Sequence, residues 1–159
     1  MPFTMDAEFL RAGLALLLGG LLVSAGIEDA RTREIADGKS IAIALIAPIW
    51  WWANGASLWP GVPIQLAIGA GTFLAFAAAF HFGMMGGGDV KLLSALALWL
   101  PFEAFAAMLM TMAIVGGGVT AVMLVQRRWK GGEIEVPYGV AIAIAGLLAL
   151  HEPILNHFS

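Results

Sequence analysis

A chain of 159 residues that is 60% hydrophobic and 12% charged, with a mean hydropathy of +0.89, carries too little polar surface for a water-soluble domain of its size. A formal net charge of −3 with no basic tract argues against a nucleic-acid partner. The absence of cysteine excludes disulfides, thiolate metal sites and a cysteine nucleophile. An integral membrane protein, with the lipid bilayer as its surroundings, is the reading that remains.

A helix needs about 20 apolar residues to cross the hydrocarbon core. Charge clusters and turn signals set off six candidates, at about 9–27, 40–54, 63–82, 90–100, 102–126 and 136–155. They predict an all-α integral membrane protein, six transmembrane helices in a compact bundle, forming a single membrane-embedded domain over 1–159. The first helix is preceded by Asp6 and Glu8 with one Arg11, an acidic flank unlike that of a cleavable signal peptide, so it is expected to be retained. It closes in Ile27-Glu28-Asp29-Ala30-Arg31-Thr32-Arg33-Glu34-Ile35, which places Asp29 at a water-facing helix end. The second is short, and Trp50, Trp51, Trp52 and Trp59 read as an interfacial aromatic belt.

The third helix runs into Gly86-Gly87-Gly88-Asp89-Val90-Lys91, where three successive glycines predict mobility over residues 81–90. The fourth is confined between Asp89 and Pro101, roughly 16 Å if helical throughout. Either Pro101 kinks it into the fifth helix or Asp89 is drawn toward the membrane interior, where an acid is costly and usually functional. Gly13, Gly19 and Gly20 in the first helix, Gly69 and Gly71 in the third and Gly116 to Gly118 in the fifth predict close helix packing.

Orientation follows from the basic residues. Arg31, Arg33, Lys39, Lys91, Arg127, Arg128 and Lys130 all fall in the loops after the first, third and fifth helices, and the loops after the second and fourth hold none. By the positive-inside rule those odd-numbered loops are cytoplasmic and both chain ends lie outside. Asp29 and Asp89 then share the cytoplasmic side.

Two carboxylates from different helices, held at one membrane face, can hydrolyse a peptide bond with neither a metal nor a covalent nucleophile. Both cannot ionise cheaply at close range, so the pair shares one proton. The ionised acid deprotonates a water, and the protonated one donates to the scissile carbonyl oxygen. Gly86, Gly87 and Gly88 remove side chains just ahead of Asp89 and would let a substrate strand approach the backbone. They do not form a phosphate-binding loop, which requires Gly-Lys-Ser/Thr at a longer spacing after a strand. His81 lies far from His151 and His157, so no metal cluster and no cofactor is expected. Composition by itself favours a plainer role for both aspartates, solvation of helix ends.

Three segments change that balance. Gly86-Gly87-Gly88-Asp89-Val90-Lys91-Leu92 matches a Gly-x-Gly-Asp-x-Lys-Leu string; Asp29-Ala30-Arg31-Thr32-Arg33-Glu34-Ile35 matches an Asp–basic–Ile segment; Val136-Pro137-Tyr138-Gly139 matches a Pro-Tyr-Gly opening of the last helix. In these the chain resembles the type IV prepilin peptidases of the GxGD group of intramembrane aspartyl proteases. The likeness is to the small form found with tight-adherence (Flp-type) pili, which lacks the methyltransferase domain. Ala36-Asp37 stands where that family commonly has Pro-Asn or Pro-Asp after the isoleucine.

The resemblance implies Asp29 and Asp89 as the catalytic pair, and prepilin and pseudopilin precursors as substrates. Their short basic leader would be removed at the cytoplasmic face of the inner membrane. Larger members add a four-cysteine domain and methylate the new amino terminus; with no cysteine here, peptidase activity alone is expected. Substrate-binding candidates are Gly86, Gly87 and Gly88, Pro137 and Tyr138 at the mouth of the site, and the acids Glu28, Glu34 and Asp37 toward a basic leader. Competing readings are another GxGD-type leader peptidase, a small ion-coupled transporter with the two aspartates as ion sites, or a pilus assembly subunit.

Overall fold

A computed structural model describes residues 3–130 and 138–155. Six helices follow in chain order: α1 (Phe3–Thr32), α2 (Asp37–Ala53), α3 (Gly61–His81), α4 (Gly87–Ala97), α5 (Phe102–Lys130) and α6 (Tyr138–Leu155). Among the described residues all regular structure is helical, as composition and spacing predict. Among the described residues three helices are long and apolar enough to cross a membrane: α1 over Ala7–Thr32, α3, and α5 over Phe102–Val125. The 11 residues of α4 span only about 16 Å, half of what a crossing needs.

The short helix is the centre of the molecule. Val90, Leu92, Leu93, Leu96 and Ala97 of α4 are buried, and α2, α3 and α6 all pack around it. The long helices carry the exposed apolar surface, among them Leu16, Phe73, Leu74, Met110, Ile114 and Val125. The most extensive helix pair is α1 with α6, and small residues explain its closeness. A methyl group added at Gly26 would lie 2.9 Å from Ala143 Cβ, and one at Gly146 would lie 2.9 Å from a Leu22 methyl. Of the glycines expected to pack closely, Gly19, Gly69 and Gly116 do pack on neighbouring helices, but a methyl at Gly13, Gly20, Gly71, Gly117 or Gly118 would meet no heavy atom within 4 Å.

A helix that stops inside an apolar interior leaves backbone carbonyls in need of donors. Here side chains supply them. Gln65 Nε2 donates to the Ala97 and Leu100 carbonyls, each at 2.6 Å. Trp51 Nε1 donates to Leu98 O at 2.6 Å and Trp50 Nε1 to Trp99 O at 3.0 Å. Trp99 in turn donates to Ile43 O at 2.8 Å, one residue before the α2 carbonyl that Pro48 deprives of its helical N–H. The expected aromatic belt therefore divides: Trp52 and Trp59 are exposed, whereas Trp50 and Trp51 turn inward to cap α4. Pro101 follows directly, and α5 begins at Phe102.

Gln65→Leu leaves two buried carbonyls without their donor, which costs about 1–3 kcal/mol apiece at most. Thermal unfolding in detergent should show a clearly lowered midpoint for this variant. Leu66→Ala, at a half-exposed neighbour, should shift it far less.

Candidate active site

Asp29 stands on the last turn of α1, four residues before Arg33, whose N–H closes that turn on Asp29 O at 3.0 Å. Arg33 takes φ 59, a left-handed conformation that ends the helix and turns the chain back across it. The Asp29 side chain is only 5% exposed. Its Oδ2 accepts the Val140 N–H at 3.2 Å, in the first turn of α6, where the helix dipole favours negative charge. Gly139 makes that meeting possible. A methyl group there would lie 2.8 Å from both Cβ and Cγ of Asp29 and 2.7 Å from Ile35 Cδ1.

Asp89 is the third residue of α4, in its opening turn and outside the three spans, and is 7% exposed. Its Oδ2 folds back to accept the Gly86 N–H at 3.3 Å, capping its own helix. Its Oδ1 is buried with no hydrogen-bond partner. Burial pushes the Asp89 carboxyl up to about 6, and the nearby charge of Asp29 pushes in the same direction against the pull of the Gly86 N–H.

Between the two acids lies Ile35, itself buried. A methyl at Gly88 would sit 3.1 Å from Ile35 Cβ and 3.3 Å from Ile35 O, so Ile35 touches the glycines that flank both aspartates. A cavity of about 300 Å³ opens here, lined by Asp29 and Asp89, by Gly86, Gly87 and Gly88, by Arg33, Glu34 and Ile35 of the connection that follows α1, and by Asp37, the first residue of α2. The glycines expected to be mobile divide accordingly: Gly86 is the extended residue ahead of α4, while Gly87 and Gly88 are its first two helical residues.

The remaining candidates fall in different places. Asp37 lines the cavity and pairs with Lys91 Nζ at 2.7 Å, so that lysine serves Asp37 and not Asp89. Glu28 does not line it. Its carboxylate binds Lys39 Nζ at 2.8 Å and accepts the Ala36 N–H at 3.0 Å, which fastens the connection between α1 and α2. Tyr138 opens α6 and lies against Gly116 of α5, also away from the cavity lining. Pro137 lies outside the described residues. Arg33, Ile35 and Gly139 were not singled out as site residues from sequence. The brevity of the connection, four residues from Arg33 to Ala36, was the available signal, because so short a segment must cross the end of α1 beside Asp29.

A family model for the type IV leader peptidases matches residues 16–125, more than half of the chain. The chain belongs to the type IV leader peptidase family. The matched stretch contains both aspartates and the cavity-lining glycines, whereas α6, which supplies Val140 and Gly139, follows it. No curated protein and no solved structure matches the chain. Membership makes this a protease-type membrane protein with leader-bearing pilin precursors as the substrates of the family in general.

An Asp89 carboxyl that titrates near 6 when folded and near 3.8 when unfolded binds its proton more tightly in the folded chain. Its ionisation therefore withdraws stability as pH rises through that window. Asp89→Asn should raise the unfolding midpoint at pH 7.5, and the gain should shrink by pH 4.5; a gain that is equal at both pH values would contradict the buried, protonated carboxyl. Gly139→Ala should lower the midpoint by overpacking Asp29 and Ile35, at a cost of about 1–3 kcal/mol. Gly117→Ala, with open space around it, is the matched comparison.

Proposed function

We propose that this member is a membrane aspartyl endopeptidase that removes the short basic leader of Flp-type prepilins and pseudopilins at the cytoplasmic face of the inner membrane. The observation that carries the reading is the shared cavity, where two buried carboxylates from different helices stand beside backbone stripped of side chains. A pair used merely to solvate helix ends would be exposed. These two are withdrawn from water, at a cost that a structural role does not explain.

The reaction assigned to the pair is direct hydrolysis. With one proton shared between Asp29 and Asp89, the ionised carboxylate takes a proton from water as its oxygen attacks the scissile carbonyl carbon. The protonated partner gives its proton to the carbonyl oxygen. As the resulting diol collapses with cleavage of the C–N bond, one of its hydroxyls returns a proton to the aspartate left ionised and the other aspartate gives its proton to the leaving amine, which restores a pair with one shared proton. The cavity of about 300 Å³ leaves room for a short stretch of peptide beside both acids. Cytoplasmic placement rests on the distribution of Lys and Arg among the loops, and the exposed acids Glu34 and Asp37 at the cavity rim suit a basic leader.

The test is coexpression with a Flp-type precursor, following the loss of the leader by mass. Asp29→Ala and Asp89→Ala should each slow cleavage by about 10²–10⁴-fold, the range that general acid–base groups supply. Processing at the wild-type rate by either variant would remove that residue from the mechanism.

A further inference from the structure

We propose that the backbone N–H groups of Gly87 and Gly88, the first two residues of α4, donate hydrogen bonds to the scissile carbonyl oxygen while negative charge builds on it. The opening turn of α4 thus forms an oxyanion site beside the carboxylate pair. This deepens the peptidase reading above and rests on it.

The first N–H groups of a helix have no partner within it. In α4, a helix of 11 residues, the Asp89 carboxylate takes the N–H of Gly86, the residue before the helix, and passes over those of the next two. Among the described residues, the Gly87 and Gly88 N–H groups have no acceptor. Both glycines line the cavity that holds Asp29 and Asp89. The second observation is Asp89 itself. It is 7% exposed, and with Oδ2 folded back on Gly86 its Oδ1 is left buried without a partner, at the same end of the same helix. A buried carboxylate oxygen left unpaired in this way calls for a partner, and a bound group in the cavity would supply one. A peptide carbonyl fits both demands, because its oxygen accepts N–H bonds and also receives the proton of a carboxyl.

The chemistry places the demand at one atom. As water adds to the carbonyl carbon, the π electrons move onto oxygen, and until a carboxyl proton reaches it that oxygen is negative. Two N–H groups at the positive end of a helix stabilise it without reorganising. Glycine at these positions lets the substrate backbone come within hydrogen-bond distance, and it also leaves room for Ile35, whose carbonyl would lie 3.3 Å from a methyl at Gly88.

The decisive variants remove one N–H and little else. Gly87 occupies the first helical position, where proline is well tolerated, and Gly86 before it has φ −75 and ψ 150, the conformation preferred ahead of proline. Gly87→Pro deletes the donor. Gly87→Ala retains it while adding a carbon in ordinary contact with the Phe80 ring, at 3.5 Å, and serves as the reference. Incorporation of glycolic acid at position 87 gives an isosteric ester that also lacks the donor, and this variant decides the matter if the proline variant unfolds early in detergent.

With purified precursor, kcat of the proline and ester variants should fall about 100-fold below that of Gly87→Ala, with KM little changed. A kcat equal to that of Gly87→Ala in a folded donor-deleted variant would overturn the oxyanion site and leave the peptidase reading intact. Failure of the wild-type protein to cleave any leader-bearing precursor would overturn both.

Discussion

The molecule is organised around the cost of keeping two carboxylates out of water. A buried ionised acid is tolerated only where hydrogen bonds or positive potential replace its hydration. Asp29 receives an N–H from the first turn of α6, and the dipole of that helix points its positive end at the charge. Asp89 receives less, one long bond from Gly86, and its carboxyl is correspondingly pushed up to about 6.

Bringing the acids to one cavity needs unusually close backbone contact, and a single residue mediates it. Ile35 lies against Gly88 of α4 and Gly139 of α6, the two glycines next to the acids or their partners. A side chain at either glycine would push apart the elements that define the cavity. The connection that carries Ile35 is fixed from outside by Glu28, which grips both Lys39 and the Ala36 N–H. Glu28, an acid that sequence alone offers to a basic leader, thus holds the connection in place.

The far end of α4 is held with equal care. Gln65, Trp50 and Trp51 occupy the carbonyls from Ala97 to Leu100, so the short helix is capped in the apolar interior and cannot slide along its axis without breaking several buried hydrogen bonds. Since Asp89 belongs to the first turn of the same helix, this distant polar cluster also fixes where its carboxyl stands along the helix axis.

The sequence by itself determined the helical class and the six segments, and it marked Asp29 and Asp89 at two of their ends, because hydropathy and charge clusters are local properties that the membrane environment enforces. It also placed the shortness of α4, since Asp89 and Pro101 bound it in the chain. Only the tertiary structure decided what the polar residues between those landmarks do. Trp50 and Trp51 could belong to a lipid interface or to a helix cap, and Glu28 could face a substrate or a lysine, on identical local grounds. The choice depends on which carbonyl or ammonium group another helix brings near. The same holds for glycine: Gly139 and Gly117 look alike in the chain, and one of them touches a buried carboxylate because α6 happens to begin there.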